Sequence, residues 1–215
     1  MMNLNKKIAI FDMDGTVLDS MNQWRSLNLR YAETLGIPLT EENRREIYQL
    51  SGSQFVRYFK EKFGVETDIK GIVDNAYTAM REFYTNGLPE KPGAKDYLRR
   101  LGEAGVMRVI ATATPTDLAE IALETSGLAP YFDLVTTTRM IGIEKYKAEF
   151  WHEVAHRAGG EAADCVVYED AVYAMQGARL AEMDVIGIED DTNENERETM
   201  REICAQVVGH YEELK

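Results

Sequence analysis

Short apolar segments alternate with amphipathic segments along most of this chain, and the alternation limits the folds that it can adopt. The apolar segments lack polar alternation, whereas those between them have helical spacing and often end at glycine. Strands that are apolar on both faces and separated by helices indicate a parallel sheet with helices on both sides. The predicted strands are, in chain order, "KIAIFD", "VMRVIAT", "FDLVTT", "DCVVYED" and "DVIGI". The sequence therefore predicts an α/β fold with a doubly wound parallel sheet.

Residues 18–90 interrupt this alternation with four helical segments and no strand between them. The chain returns through "GLPEKPG", whose proline and glycine content is typical of a linker. An insertion of about 70 residues is within the normal size of a domain. We therefore predict a core domain of residues 1–17 and 91–215, and a helical cap domain of residues 18–90 that covers a site.

The charge of the chain narrows the choice of partners. With 37 acidic and 24 basic residues the formal net charge is -13, which argues against nucleic acid or an anionic membrane surface as the main partner.

The two cysteines, Cys165 and Cys204, do not amount to a disulfide framework. The first apolar run meets Asp12 too early for a signal peptide, and no later segment is long enough to span a membrane. We therefore expect a cytoplasmic monomer without a nucleic-acid or membrane partner.

The segment "FDMDGTVLDS", residues 11–20, places Asp12 and Asp14 directly behind the first predicted strand. Carboxylates this close repel each other, and burial strengthens the repulsion. Such a pair is therefore expected to bind a cation or to take part in phosphoryl chemistry, either of which would offset this repulsion.

Further polar residues are predicted at the same edge of the sheet. In a doubly wound sheet, ligands bind beyond the carboxyl ends of the strands. Thr112 ends one predicted strand and the pair Glu169 and Asp170 ends another, while Lys145 lies in the loop after "FDLVTT". Because all of these groups are directed to one edge, the sequence predicts a site there.

Taken in this order, the segments resemble the haloacid dehalogenase superfamily, and within it the branch of phosphatases and phosphoglucomutase-like enzymes that carry a helical cap. The resemblance covers nearly the whole chain. It rests on "DMDGTVLDS", "PGA", "IATATP", the lysine in "GIEKYKAEF", and "VVYEDAVYAMQGARLAEMDVIGI". It implies a Rossmann-like core, an inserted cap and phosphoryl chemistry.

The resemblance also implies roles for the acidic residues. Asp12 would attack phosphorus and form an aspartyl-phosphate, and Asp14 would act as general acid and base. Mg²⁺ is the implied cofactor, because hard oxygen ligands suit this ion. Its implied ligands are the carboxylate of Asp12, the carbonyl of Asp14, Glu169 and Asp170. Asp170 is also placed to cap the helix that begins at "AVYAMQG".

The remaining implied roles concern the phosphoryl group. The Thr112 hydroxyl and the Ala113 N–H would hydrogen-bond its oxygens, and Lys145 would neutralise the charge on it and on Asp12. Family members commonly carry prolines around this lysine, and "EKYKAEF" has none. Lys147 therefore stays an alternative to Lys145.

These roles predict an Mg²⁺-dependent phosphatase that acts on a small phosphorylated metabolite. Ser20 and Trp24 are expected to bind the substrate, although the position of Trp24 also suits packing inside the cap. The alternative within the family is a sugar-phosphate mutase, which commonly carries a cap histidine and a cap arginine. This chain has Trp24 at the place of the histidine and Phe55 near that of the arginine. We therefore expect water to be the usual phosphoryl acceptor.

Three other classes are weighed against the phosphatase. Dehalogenating members of the superfamily lack the second aspartate, so Asp14 favours phosphoryl chemistry. A phospho-acceptor signalling module carries its acceptor aspartate on a later strand and has no inserted cap. The segment "HEVAH", residues 152–156, fits the H-E-x-x-H pattern of zinc peptidases, but no third ligand follows at a suitable distance. Each of these three is less favoured.

Overall fold

The computed structural model describes residues 6–48, 52–66 and 69–214. The chain divides into two compact units: a sheet unit of Met1–Asp19 and Gly87–Lys215, and a helical unit of Ser20–Asn86. Residues 18–19 and 87–90, which the sequence analysis assigned to the cap, lie in the sheet unit. They do so because the two connections pair with each other, the N–H of Asp19 donating to the Pro89 carbonyl at 2.9 Å.

The sheet unit is built on a fully parallel sheet of six strands among the described residues. The strands are β1 Ile8–Phe11, β2 Met107–Thr112, β3 Leu134–Thr137, β4 Cys165–Glu169, β5 Asp184–Ile188 and β6 Gln206–Val208. Their spatial order is β3-β2-β1-β4-β5-β6, so the buried strand β1 lies between β2 and β4. The first five correspond to the predicted strands, and β6 is an additional edge strand.

Helices connect the strands of the sheet. In the helical unit the helices are α1 Met21–Thr34, α2 Glu41–Tyr48, α3 Gly52–Phe63 and α4 Ile69–Thr85. In the sheet unit they are α5 Ala94–Glu103, α6 Thr116–Thr125, the short α7 Thr138–Ile141, α8 Ala148–Arg157, α9 Val172–Leu180 and α10 Arg197–Ile203. Among the described residues, no helix is both long and apolar enough to cross a bilayer.

The sheet has a core on each face. On one face, Ile10 of β1 belongs to a buried cluster with Trp151 of α8 and Met175 of α9. On the other face, the ring of Phe11 stacks on Tyr168 of β4 with 4.3 Å between centroids, and Tyr97 of α5 packs edge-on against Tyr168. Because helices cover both faces of a parallel sheet, the predicted doubly wound, Rossmann-like α/β fold is confirmed.

The helical unit has a small core of its own. Ala32 of α1, Ile47 of α2 and Phe59 of α3 are buried together with Ile37. The described residues of this unit contain no strand. Its core is therefore formed by packing between helices.

Candidate active site

Asp12 is the first residue after β1 and stays attached to the sheet. Its N–H donates to the Tyr168 carbonyl of the neighbouring strand at 2.9 Å, and the residue is 6% exposed. The chain then turns at Gly15, whose φ of 80° is a conformation that glycine adopts without steric cost. The turn is closed by the Leu18 N–H, which donates to the Met13 carbonyl at 2.9 Å. Asp12 and Asp14 are thus held at the carboxyl end of β1, as the sequence predicts.

Lys145 is buried against two carboxylates. Its Nζ lies 2.6 Å from Asp12 Oδ1 and 2.5 Å from Glu169 Oε2, and its side chain is 2% exposed. The Nε1–H of the buried Trp151 donates to the carbonyl oxygen of Lys145 at 2.7 Å, which holds the loop in place. Lys147 is exposed and is the N-cap residue of α8. Of the two candidate lysines, Lys145 is the one that contacts the acidic residues.

Asp12, Glu169 and Asp170 form a buried acidic group at the ends of β1 and β4. One oxygen from each carboxylate lies within 4.8 Å of the others, and within the described part of the chain no other such group of metal-ligating side chains occurs. Lys145 supplies one positive charge against these three negative ones. A buried site with excess negative charge and hard oxygen donors fits a divalent cation such as Mg²⁺.

The pKa values of the acidic group and of Lys145 reflect this excess of negative charge. Burial raises the pKa of Asp12 to about 8; Glu169 adds to this shift and Lys145 opposes it. Burial likewise raises the pKa of Asp170 well above its usual range, and the charges of Glu169 and Asp12 raise it further. Burial by itself lowers the pKa of Lys145, but the charges of Asp12 and Glu169 outweigh burial and raise that pKa, so the ammonium stays protonated. The carboxylates therefore need further positive charge to be ionised together.

Asp14 is held by Thr114, whose contact with Asp14 the sequence analysis did not predict. The buried hydroxyl Oγ1 of Thr114 donates to Asp14 Oδ2 at 2.6 Å. The Thr114 N–H in turn donates to Oγ1 of Thr112, which is itself buried, at 3.1 Å. Ala113, between the two threonines, is exposed. The loop after β2 and the turn after β1 therefore meet through hydrogen bonds between their side chains, and the only sequence signal for this is the pair of threonines in "TATP".

Thr16 is a second contributing residue that sequence reasoning missed. Its buried hydroxyl donates to Asp170 Oδ1 at 3.2 Å. The N-cap residue of α9 is Ala171, whose N–H donates to Glu169 Oε1 at 3.2 Å. Asp170 therefore does not cap this helix, and its carboxylate belongs to the acidic group instead.

The two predicted substrate-binding residues of the cap, Ser20 and Trp24, belong to the helical unit. Ser20 is buried at the N-cap position of α1. Trp24 is half-buried and lines a cavity of about 290 Å³ between α1 and α4, together with Tyr31 and Ile72. Trp24 is thus a cavity wall within this unit, and the substrate roles of both residues stay predictions. The side chain of Phe55 lies outside the described residues.

The "HEVAH" segment occupies α8. His152 and His156 are exposed, and Glu153 accepts a hydrogen bond from Nε of Arg157 at 2.7 Å. A peptidase would need the two imidazoles to share a zinc ion with a third ligand, and the described residues group no such set around them. The motif is therefore a surface feature of this helix.

Comparison with known proteins decides the family. A family model described as haloacid dehalogenase-like hydrolase matches residues 6–182. The chain belongs to this family. The membership predicted from "DMDGTVLDS" and the later segments is thus confirmed. The matched region of the hydrolase includes the acidic group, Lys145, Thr112 and Thr114.

Two curated relatives of this haloacid dehalogenase-like hydrolase are named as phosphatases. It is 24% identical over 173 residues to the phosphorylated carbohydrates phosphatase of Thermotoga maritima, covering 80% of each chain. It is 28% identical over 182 residues to the fructose-1-phosphate phosphatase YqaB of Escherichia coli, covering 83% of this chain and 94% of the relative. The predicted enzyme class, a phosphoric monoester hydrolase of this family, is confirmed. A solved structure from Thermotoga maritima, provisionally described as a beta-phosphoglucomutase, shares the fold with a TM-score of 0.76 at 22% identity over 94% of both chains.

Proposed function

We propose that the protein is an Mg²⁺-dependent phosphatase that hydrolyses a small phosphate monoester through an aspartyl-phosphate on Asp12. The observation that carries the proposal is the contact between Lys145 and Asp12, 2.6 Å long and buried at the carboxyl end of the central strand. Through this contact, the carboxylate nucleophile Asp12 has its charge partly neutralised at the edge where such sheets bind ligands. The names of the two curated relatives support a phosphorylated carbohydrate as the substrate.

In the first step, a carboxylate oxygen of Asp12 attacks phosphorus while the bond between phosphorus and the ester oxygen breaks. Asp14 donates its proton to the departing oxygen, and the alcohol leaves. In the second step, a water oxygen attacks phosphorus while the bond to Asp12 breaks. Asp14 accepts the proton of that water, so inorganic phosphate is released and both aspartates return to their starting states.

The surrounding groups stabilise the charge on the transferring phosphoryl group. The Lys145 ammonium, the Thr112 hydroxyl and the Ala113 N–H are assigned to its oxygens. The side chains of Asp12, Glu169 and Asp170, with the Asp14 carbonyl, would hold Mg²⁺, which supplies positive charge to the same oxygens when bound. The Thr114 hydroxyl orients Asp14 through its 2.6 Å hydrogen bond.

The organic part of the substrate is assigned to the helical unit, with Ser20 and Trp24 as the contacting residues. The cavity wall formed by Trp24 supports a small, partly apolar group. Trp24 in place of a cap histidine supports water, rather than a second hydroxyl of the sugar, as the phosphoryl acceptor. Cys165 and Cys204 are free thiols, which supports a location in the reducing cytoplasm. We further propose that the protein is a monomer.

The test is phosphate release from a panel of hexose, hexitol and smaller phosphate monoesters, with and without Mg²⁺. We expect turnover of several monoesters, loss of turnover with EDTA, recovery with Mg²⁺, and no turnover in Asp12→Asn, whose amide cannot attack phosphorus. Conversion of a hexose 1-phosphate to its 6-phosphate with little free phosphate would assign a mutase instead. Substantial turnover by purified Asp12→Asn would refute the aspartyl-phosphate mechanism.

A further inference from the structure

The two connections between the units form a short antiparallel ribbon within the sheet unit. This linker ribbon consists of residues 17–19 and 89–91. Leu18 and Glu90 form an antiparallel bridge, and the Lys91 N–H donates to the Val17 carbonyl at 2.9 Å. The ribbon begins next to Thr16, whose hydroxyl donates to Asp170. One strand of the ribbon is therefore already connected to the acidic group.

The other strand of the ribbon carries a buried ion pair. The ammonium of Lys91 contacts Asp190 Oδ2, and the two residues are 6% and 7% exposed. Asp190 Oδ1 also accepts the N–H of Thr192 at 2.8 Å. A buried charge is costly unless it is paired and hydrogen-bonded, and both conditions are met here. The loop after β5 is thereby held in one geometry against the returning chain.

Asn193 carries this connection to the acidic group. The residue is 6% exposed, and its Oδ1 accepts the Asp190 N–H at 3.0 Å. Its Nδ2 donates to the main-chain carbonyl of Asp170 at 3.0 Å and to that of Ile188 at 3.4 Å. Since the amide uses both of its ends, its orientation is fixed by the hydrogen bonds themselves. The peptide that follows Asp170 is therefore held from the loop after β5.

We propose that Asn193, held in place by the Lys91–Asp190 ion pair, is a positioning residue for Asp170. By fixing the main chain at Asp170, it keeps that carboxylate within reach of Asp12 and Glu169, while the Thr16 hydroxyl donates to the carboxylate itself. Partners of this kind behind a metal ligand typically change metal affinity or activity about 10- to 100-fold when they are removed. The inference rests on the proposed function, in which Asp170 binds Mg²⁺.

The test measures Mg²⁺ affinity directly, by calorimetric titration of the full chain without substrate. In Asn193→Ala we expect the dissociation constant to rise about 10- to 100-fold. The matched control is Asn195→Ala, two residues away and exposed, which should bind Mg²⁺ like the wild type. Thermal unfolding without metal establishes that each variant is folded. Turnover of Asn193→Ala should recover at high Mg²⁺ with an unchanged KM for substrate, which a general loss of structure would not produce.

A second variant, Asn193→Asp, tests the same role if Asn193→Ala does not fold. Asn193→Asp keeps the acceptor for the Asp190 N–H but cannot donate to Asp170, and we expect weaker Mg²⁺ binding in spite of its added negative charge. Either of two results overturns the positioning role and leaves the proposed function intact. One is wild-type Mg²⁺ affinity in a folded Asn193→Ala, and the other is unchanged or tighter Mg²⁺ binding in Asn193→Asp. Failure of the wild type to bind Mg²⁺ would instead refute the metal dependence, and the positioning role with it.

Discussion

Gly177 of α9 lies directly against the carbonyl oxygen of Lys145, so closely that a Cβ built on it would be 2.1 Å from that oxygen. The same Cβ would lie 2.8 Å from the main-chain carbon of Tyr146 and 2.9 Å from Trp151 Nε1. The missing side chain thus leaves room for the hydrogen bond from Trp151 to Lys145. The position of the lysine in the site depends on a helix that follows Asp170 in the chain.

Gly177→Ala is therefore expected to displace the loop of Lys145. Two of the three nearest atoms belong to the main chain, which cannot rotate away, so the loop has to move. A misplacement of about 1 Å can cost about 100-fold in rate, and overpacking costs about 1–3 kcal/mol of stability. We expect both kcat for a sugar phosphate and the Tm to fall. The control is Leu180→Ala on the same helix, where the residue is 69% exposed. An unchanged kcat in a folded Gly177→Ala would show that the loop adapts without moving Lys145.

The loop of Lys145 also shows which features of the site can be predicted from the sequence. Spacing and resemblance reduce the choice to Lys145 or Lys147, because both lie in one loop near the predicted edge. The decision depends on the burial of Lys145, whose main chain is held by Trp151 and Gly177, and no pattern around the lysines themselves shows this. The central strands are readily predicted because their residues are apolar throughout. β6 is not, because it is three residues long, lies at the edge of the sheet and has only one buried residue.

Lys145→Met is expected to lower kcat far more than Lys147→Met. Lys145 contacts Asp12 and Glu169, whereas Lys147 is exposed. Removing one group that stabilises developing charge in a water-poor site costs about 10²–10³ in kcat. Steady-state kinetics with a sugar phosphate at saturating Mg²⁺ measure the difference, and circular dichroism shows whether each variant is folded. A larger loss in Lys147→Met would assign the motif lysine to position 147.

Hydroxyl partners are the part of the site that sequence reasoning misses. The hydrogen bond of Thr114 to Asp14 joins residues 100 positions apart, and that of Thr16 to Asp170 joins residues 154 positions apart. Threonines in loops have no periodicity and are common there for turn formation. Their role follows only from the parallel pairing of β1 with β2 and β4, which brings the three loops together.

Thr114→Val is expected to lower kcat by removing the donor to Asp14 while keeping nearly the same volume. General acid and base catalysis contributes about 10²–10⁴-fold, so a loss on the order of tenfold is expected when the orientation of the acid is relaxed. Thr114→Ser keeps the hydroxyl and should retain most of the activity. The comparison of kcat across the three proteins measures the effect. Equal activity of the valine and serine variants would mean that the hydrogen bond does not orient Asp14 during turnover.

The Lys91–Asp190 pair also makes a prediction for stability. Both side chains are buried, so removal of one partner leaves an uncompensated charge. Breaking a buried pair in this way typically costs about 3–5 kcal/mol, whereas replacing both partners by neutral groups costs less. Lys91→Met should therefore be less stable in urea at pH 7 than the double variant Lys91→Met/Asp190→Asn. If the double variant were the less stable of the two, the charge left on Asp190 would not be the source of the loss.

The pH dependence of the same pair has a defined sign. Burial by itself raises the pKa of Asp190, but the hydrogen bonds from Lys91 and Thr192 outweigh burial and leave the pKa below its ordinary value of 3.8. A carboxylate with a lowered pKa in the folded state stabilises the fold fully above the unfolded pKa, and this contribution is lost as the pH falls through the folded pKa. The free energy of unfolding of the wild type, relative to that of the double variant, should therefore be constant from about pH 5 to 7 and decline below about pH 4. Urea titrations of both proteins from pH 3 to 7 measure this difference. A difference that grows as the pH falls would show that Asp190 is not held in its ionised form by Lys91.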